Sequence, residues 1–312
     1  MTDPFDTGDA PAAGTTADAA ETADDAASLR AAEATAHRLA GELFPWDLTR
    51  ALELALLKTF CVPTISGLLA RTGEFERRPR KRYDDTGLMV AELLRHGLDS
   101  PAGAAVIERM NRIHGHYAIG NDDFLYVLST FVAEPIRWLA RYGWRPLTPL
   151  EQEHLFRFWR GVGERMGIVD LPDTLADLLA LNERVEREAF APAATNRRIA
   201  DATLAMLLAN WPAPLRPALR WALMGLLDHQ TCAALGWSRA PEGLQALVLQ
   251  ALRARSRAAA LVAGVRAGLG RPTPARFYSQ RPTPSYGATF HLEQLGPPPL
   301  LDQLAPPPSE GP

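Results

Sequence analysis

Residues 100–116, SPAGAAVIERMNRIHGH, carry the helical signal from which the fold can be worked out. Ser100 followed by Pro101 is typical of a helix N-cap and first turn. At 100° per residue, His116 lies about 200° away from His114. His114 shares its face with Val106, Met110 and Ile113. The spacing therefore predicts a helix over residues 101–116 in which only one of the two histidines faces the core.

A histidine on the apolar side of a helix has two interpretations. The more common one is a core residue that donates a hydrogen bond to a backbone carbonyl. The other is an axial ligand, in which a neutral imidazole nitrogen binds iron and a hydrogen bond holds the other nitrogen. A zinc site is disfavoured, because histidines two apart on a helix diverge and Cys61 and Cys232 have no paired spacing.

A second cluster of polar residues lies upstream of this helix. Arg82, Asp85 and Thr86 are spaced at i, i+3 and i+4, and they continue an apolar stripe that includes Met89 and Leu93. Burial of an uncompensated charge is costly, so we expect Arg82 to pair with Asp85 or with an anionic ligand such as a haem propionate. The alternative is an ordinary surface ion pair at the start of a helix.

Composition narrows the class of protein. The chain has 312 residues, 47% of them apolar, and a formal net charge of -3. It has only two cysteines, which gives no disulfide framework and favours a reducing, cytoplasmic location. A net charge this close to zero does not indicate a nucleic-acid-binding surface. The acidic start lacks the features of a signal peptide, and the apolar window 51–70 contains Glu53 and Lys58, which indicates core helices rather than a transmembrane segment.

The chain divides into three predicted parts. Residues 1–28 are acidic and are expected to be disordered, residues 29–270 form a helical domain, and residues 271–312 form an irregular, proline-rich tail. Strand-like alternation is nearly absent. Periodicity predicts helices at about 29–42, 47–60, 64–72, 82–97, 101–116, 122–141, 149–166, 174–190, 196–209, 214–235 and 241–268.

An ordered series of short motifs runs between residues 44 and 190. Its pieces lie at residues 44–46, 62–66, 72–75, 81–86, 110–115, 121–129, 134–138, 142–145 and 158–168. In this order they resemble the MpaB and rubber oxygenase (latex clearing protein) family, and are most similar to its MpaB branch. The family consists of haem-dependent oxygenases that cut carbon-carbon double bonds in isoprenoid chains.

The resemblance implies an all-α fold, a single multi-helix domain with a globin-like helical core that encloses a haem pocket. It implies a haem b-dependent oxygenase that takes O2 and a small hydrophobic substrate, isoprenoid or prenylated, and performs O2-dependent oxidation or C=C cleavage. His114 would be the proximal iron ligand, and Arg82 and Thr86 would lie in the distal motif, with Arg82 also binding the cofactor. The chain contains no Cys-x-x-Cys-His motif, so the haem would not be covalently attached.

Asp85 departs from the family pattern. Rubber oxygenases carry a lysine between the equivalents of Arg82 and Thr86, and a lysine can cap the sixth iron position or supply a cation to bound oxygen. An aspartate can do neither as a cation, so polyisoprene is disfavoured as a substrate. We expect Asp85 to act in the site as the partner of Arg82. Peripheral contact with a membrane stays open for a lipid-like substrate.

Two other classes of protein compete with this interpretation. A di-iron carboxylate oxygenase could use Glu151 and His154, but it needs a second such pair, and Glu151 already fits a capping box with Thr148. A non-catalytic helical binding or scaffold protein with the same fold would keep Arg82 and Asp85 as a structural ion pair and His114 as a core residue.

Overall fold

A computed structural model of the chain describes residues 14–271 and 273–301. Within these residues the fold is all-α, as predicted, and the strand-like content is one isolated antiparallel bridge between Thr283 and Gly287. The helices are α1 Gly14–Arg38, α2 Pro45–Thr59, α3 Pro63–Thr72, α4 Glu74–Arg77, α5 Pro79–His96, α6 Pro101–His114, α7 Asn121–Tyr142, α8 Pro149–Arg165, α9 Leu175–Ala189, α10 Ala194–Leu208, α11 Arg216–Met224, α12 His229–Leu235 and α13 Glu242–Gly268.

Local sequence sets many of the helix starts. Proline occupies the first turn of α2, α3, α5, α6 and α8, where its missing N–H costs no hydrogen bond. The Ser100 hydroxyl accepts the backbone N–H of Gly103 at 2.9 Å, which caps α6. Thr148 and Glu151 form the predicted capping box at α8. Both caps are confirmed.

The core lies between long helices that pack in pairs, α1 on α8 and α2 on α7, with α5 beside α6. A buried ion network joins three of the helices. Lys58 Nζ on α2 lies 2.8 Å from Glu134 Oε1 on α7 and 3.0 Å from Glu186 Oε1 on α9. Arg137 contacts the same two carboxylates, at 2.8 Å and 3.0 Å. The network fixes α7 against α2 and α9.

Two helix boundaries differ from the predictions. The first helix begins at Gly14, well before residue 29, so residues 14–28 of the expected disordered segment are helical, while residues 1–13 lie outside the described structure. The single helix predicted over residues 214–235 is two helices, because the chain turns after Met224 and Asp228 caps α12 by accepting the Thr231 N–H at 2.7 Å. The division into three parts otherwise stays a prediction.

Residues 273–301, here called the C-terminal segment, contain short 3-10 turns and the isolated Thr283–Gly287 bridge. They are nevertheless packed on the domain, since Phe277 and Leu295 are buried. Arg109 of α6 is almost fully buried, and its Nε donates to the carbonyl of Leu295 at 2.9 Å. Residues 302–312, the rest of the predicted proline-rich tail, lie outside the described structure.

None of the described helices is by itself long and apolar enough to cross a membrane. Taken together, α2 and α3 have sufficient length and apolar composition, but the pair bends by 96° at the break between them.

Candidate functional site

A cavity of about 370 Å³ lies between α2, α3, α5, α6, α7, α8 and the C-terminal segment. This volume is in the range of small-molecule and cofactor sites, about 300–1,000 Å³. The lining is mostly aliphatic and aromatic, including Leu48, Leu52, Leu56, Leu69, Phe75, Val90, Ile113, Phe124, Val127, Phe131, Trp159 and Val162. Such a surface favours an apolar ligand, and the few polar groups among it decide what chemistry the cavity can support.

His114, the last residue of α6, lines this cavity, as the helical spacing predicted. Its ring meets that of Phe124 edge to face, with centroids 5.4 Å apart. His116 is exposed instead, and its Nδ1 lies 2.7 Å from the Arg112 carbonyl. As predicted, His114 lies on the inner side of the helix and His116 is exposed. His116 is therefore a suitable control for substitutions of His114.

The surroundings of His114 keep its imidazole neutral. Burial, with a smaller contribution from the Arg82 guanidinium, lowers the pKa of His114 from 6.5 to about 4. Nδ1 is buried and has no hydrogen-bond partner among the described residues, so the second-nitrogen hydrogen bond expected of an axial ligand is not found there. A neutral imidazole with a free lone pair is the form that binds metals.

Titration of His114 predicts a loss of stability in acid for the protein without added ligand. Below pH 6.5 the unfolded imidazole takes up a proton, whereas the folded one stays neutral until about pH 4. Unfolding is therefore favoured as the pH falls through this window, by at most about 3 kcal/mol. Urea unfolding at the two ends of the window should show a smaller loss for His114→Gln. Equal losses in both proteins would contradict the assigned burial.

Arg82 and Thr86 lie together on α5 and both line the cavity. Arg82 Nη1 donates to the Thr86 hydroxyl, and its guanidinium lies over the Phe75 ring with 5.3 Å between the guanidinium carbon and the ring centroid. Burial lowers the pKa of Arg82, and the nearby Asp85 opposes that shift, but an arginine stays charged in proteins. The cavity therefore contains a cation whose charge is compensated only in part.

Asp85 is not the partner of Arg82 in the described structure, and that prediction is wrong. Its carboxylate pairs with Lys81 at 3.0 Å, one turn away. It also accepts hydrogen bonds from the Tyr286 hydroxyl and, at 3.2 Å, from the Gly296 N–H. Asp85 is buried, and its carboxylate binds Lys81 and the C-terminal segment rather than Arg82.

The C-terminal segment closes one side of the cavity, and sequence reasoning missed this role. Tyr278 donates to Asp84 Oδ1 at 2.7 Å and lies on Gly87, where an added Cβ would be 3.1 Å from the ring. Phe277 lies on Gly41, where an added Cβ would be only 2.6 Å away. The two aromatic side chains thus occupy places that two glycines leave open. No local signal links residues so distant in sequence.

Glu53 on α2 is a second residue that was not singled out as part of the site. It lines the cavity and is buried, and its Oε1 accepts from Arg50 at 2.5 Å and from the Tyr83 hydroxyl at 2.8 Å. Burial raises the pKa of this carboxyl group, which Arg50 and Tyr83 oppose. In the sequence, Glu53 is recognisable as an acid within an apolar helix. That feature was used above only as an argument against a transmembrane segment.

The donor set fits a tetrapyrrole better than a metal bound by protein alone. Across the described ranges, no group of three or more His, Cys, Asp or Glu side chains could hold a metal ion. A porphyrin supplies the remaining donors and needs only an axial ligand, which an unpartnered, neutral His114 can be. Arg82, Arg276 and Arg281 line the cavity and are the cations that could pair with its carboxylates.

Both residues proposed as ligands of a di-iron site, Glu151 and His154, are bound to other partners. Glu151 Oε2 lies 2.6 Å from Arg145 and 2.9 Å from the Thr148 backbone N–H. His154 Nδ1 is hydrogen-bonded to the Thr35 hydroxyl at 2.7 Å. Both side chains are thus explained by the packing of α8, and neither lines the cavity.

Comparison with known proteins gives one matching family, described as "ER-bound oxygenase mpaB/B'/Rubber oxygenase, catalytic domain", over residues 54–260. Among similar proteins, "ER-bound oxygenase mpaB" of Penicillium roqueforti (strain FM164) is 32% identical over 192 residues, which are 56% of this chain and 64% of that protein. "ER-bound oxygenase mpaB'" of Penicillium brevicompactum is 31% identical over 192 residues, 56% of this chain and 45% of that protein. The matched stretch is thus less than two thirds of either relative.

Proposed function

Because the chain belongs to the family of the mpaB/B' and rubber oxygenase catalytic domain, we propose that it is a haem b-dependent oxygenase. Its substrate would be hydrophobic, isoprenoid or prenylated, and the reaction an O2-dependent oxidation or C=C cleavage. The observation that carries the proposal is His114, a neutral imidazole without a hydrogen-bond partner for its buried Nδ1, at the wall of an apolar cavity.

In this proposal His114 holds the iron, and Arg82, Arg276 and Arg281 are candidates to neutralise the carboxylates of the cofactor. When bound, haem supplies the redox and dioxygen chemistry. Thr86 accepts a hydrogen bond from Arg82 and so orients the guanidinium at the cavity wall. The chain would then contribute an iron ligand, a fixed cation and an apolar pocket.

The cavity wall supports a hydrophobic substrate. Aliphatic and aromatic side chains from α2, α3, α7 and α8 dominate the lining, and they exclude water from whatever binds between them. Glu53 adds one group that can hold a proton, because burial raises the pKa of its carboxyl group against the opposing effects of Arg50 and the Tyr83 hydrogen bond. We propose that Glu53 takes up or releases a proton beside the substrate and that Tyr83 positions its carboxyl group.

The names of the relatives describe those proteins as bound to the endoplasmic reticulum. For this chain a cytoplasmic location stays a prediction from composition.

The direct test of this function is turnover. Protein reconstituted with haemin should consume O2 in the presence of prenyl alcohols of suitable chain length and form oxidised or carbonyl products that mass spectrometry detects. Reconstituted protein that takes up haem but leaves every such compound unchanged would favour the non-catalytic binding protein. Colourless protein that binds no haem would contradict both the cofactor and the reaction.

Arg82→Ala is expected to weaken haem binding by about tenfold to a hundredfold, because a charged hydrogen bond contributes about 1.5–3 kcal/mol. Haemin titration followed by absorption measures this. Arg95→Ala is the matched control, since Arg95 lies on the same helix but is exposed and paired with Glu92. If Arg82→Ala and Arg95→Ala bind haemin alike, Arg82 has no role in holding the cofactor.

A further inference from the structure

One face of α13 is both apolar and exposed. Leu247, Leu261, Val262 and Val265 on α13, and Leu269 just after its end, are between 53% and 69% exposed. At 100° per residue they fall within about a third of the helix circumference. The alanines at positions 251, 254 and 258 lie on the same stripe. An exposed stripe of this kind is unusual on the surface of a soluble domain and points to an interaction site.

The opposite face of α13 attaches the helix to the domain. Leu249 and Leu252 pack against the core, and the Ser256 hydroxyl donates to the Tyr142 carbonyl at the end of α7. Arg255 pairs with the buried Asp47 at 3.1 Å, and its guanidinium carbon lies 3.5 Å from the Trp46 ring centroid. The helix is thus anchored along one side and leaves its apolar stripe outward.

Arginines border the stripe. Arg253 and Arg257 are exposed along one edge, whereas Arg255, near the other edge, is paired with Asp47. Glu242, in the first turn, is the only acid in the α13 sequence. Residues 211–271 contain eight arginines, no lysine and two carboxylates, a formal charge of +6 in a chain whose net charge is -3. This part of the sequence is therefore strongly basic, although two of its arginines, Arg220 and Arg255, pair with Asp201 and Asp47 outside it.

We propose that the α13 face, defined by the stripe and its bordering arginines, docks on an anionic phospholipid surface. An apolar stripe bordered by arginine is the pattern of helices that lie in the plane of a membrane interface. Trp211 is 50% exposed and Trp221, on the adjacent α11, is 39% exposed, and tryptophan favours the same interface. Basic side chains contribute additional attraction to anionic lipid.

A second copy of the chain fits this face less well. The spacing of residues 247, 251, 254, 258, 261 and 265 alternates four and three, which would also suit a helix pair. Pairing α13 with itself would bring Arg253 and Arg257 beside the same arginines of the other copy, and like charges at such edges repel. The charge pattern therefore selects the anionic lipid surface.

Sedimentation with lipid vesicles tests the proposal on the full chain. Wild-type protein should sediment with vesicles that contain phosphatidylserine, and weakly or not at all with phosphatidylcholine alone or at high salt. Leu261→Gln combined with Val265→Gln should weaken binding by about tenfold or more. Arg253→Gln combined with Arg257→Gln should weaken it by a similar factor. Leu150→Gln combined with Val169→Gln is the control, since both residues are exposed and lie outside α13.

The proposal is overturned if wild-type protein ignores phosphatidylserine vesicles, or if the α13 variants bind them as well as the control does. It is also overturned if light scattering shows a dimer that Leu261→Gln with Val265→Gln converts to a monomer, because a second copy would then be the partner. The binding step needs no haem, so its failure leaves the proposed oxygenase activity untouched.

Discussion

His114→Ala is expected to fold but to retain no haem. In the proposed site this imidazole is the one protein group that binds the iron, so its removal should weaken haem retention by more than about a hundredfold. Stability should change little, because the variant also removes a buried nitrogen that has no hydrogen-bond partner among the described residues. Absorption spectra of purified proteins and thermal unfolding measure the two effects separately.

His116→Ala supplies the control for this result. His116 is two residues away but exposed, with its Nδ1 beside the Arg112 carbonyl rather than the cavity. It should bind haem as wild-type protein does. The assignment of the axial ligand is wrong if His114→Ala keeps the wild-type spectrum, or if both variants lose haem equally.

Asp85→Leu is expected to loosen the C-terminal segment and to destabilise the protein by about 3 kcal/mol. The buried carboxylate pairs with Lys81 and accepts from Tyr286 and Gly296, and removal of one partner from a buried pair typically costs about 3–5 kcal/mol. We take the lower end, because Lys81 keeps three other partners in the segment, the Tyr286 hydroxyl and the carbonyls of Gln294 and Gly296. Denaturant unfolding measures the loss.

Limited trypsin digestion tests whether the segment is released. Arg276 directly precedes the buried Phe277, so cleavage after Arg276 should accelerate in Asp85→Leu, whereas Arg281 precedes Pro282 and is not a trypsin site. Glu92→Gln is the control, an acid on the same helix whose partners are the exposed Arg95 and His96. Unchanged stability and unchanged cleavage in Asp85→Leu would contradict the role assigned to Asp85.

The sequence predicted the helices and the orientation of His114 well, because those depend on local signals. Ser100, Pro101 and the 3.6-residue period are sufficient to place His114 on the inner face of α6. The break within residues 214–235 was missed because the apolar period continues through it, although Asp228 is a good N-cap residue. The globin-like character of the core and the haem pocket stay predictions.

The partners of the polar residues could not be predicted in the same way. Asp85 has Arg82 at i-3 and Lys81 at i-4, and spacing alone cannot choose between them. The choice is made by Tyr286 and Gly296, which lie about two hundred residues further along the chain and meet Asp85 only in the folded structure. Glu53 enters the site in the same way, through tertiary packing of α2 against α5.

The absorption spectrum of wild-type protein, purified after expression with ample haem precursor, tests the central claim most directly. We predict a Soret band and a haem content stoichiometric with the protein, together with a ligand-field signature of histidine coordination that His114→Ala lacks. Colourless protein that also shows no Soret shift on titration with haemin would contradict the account.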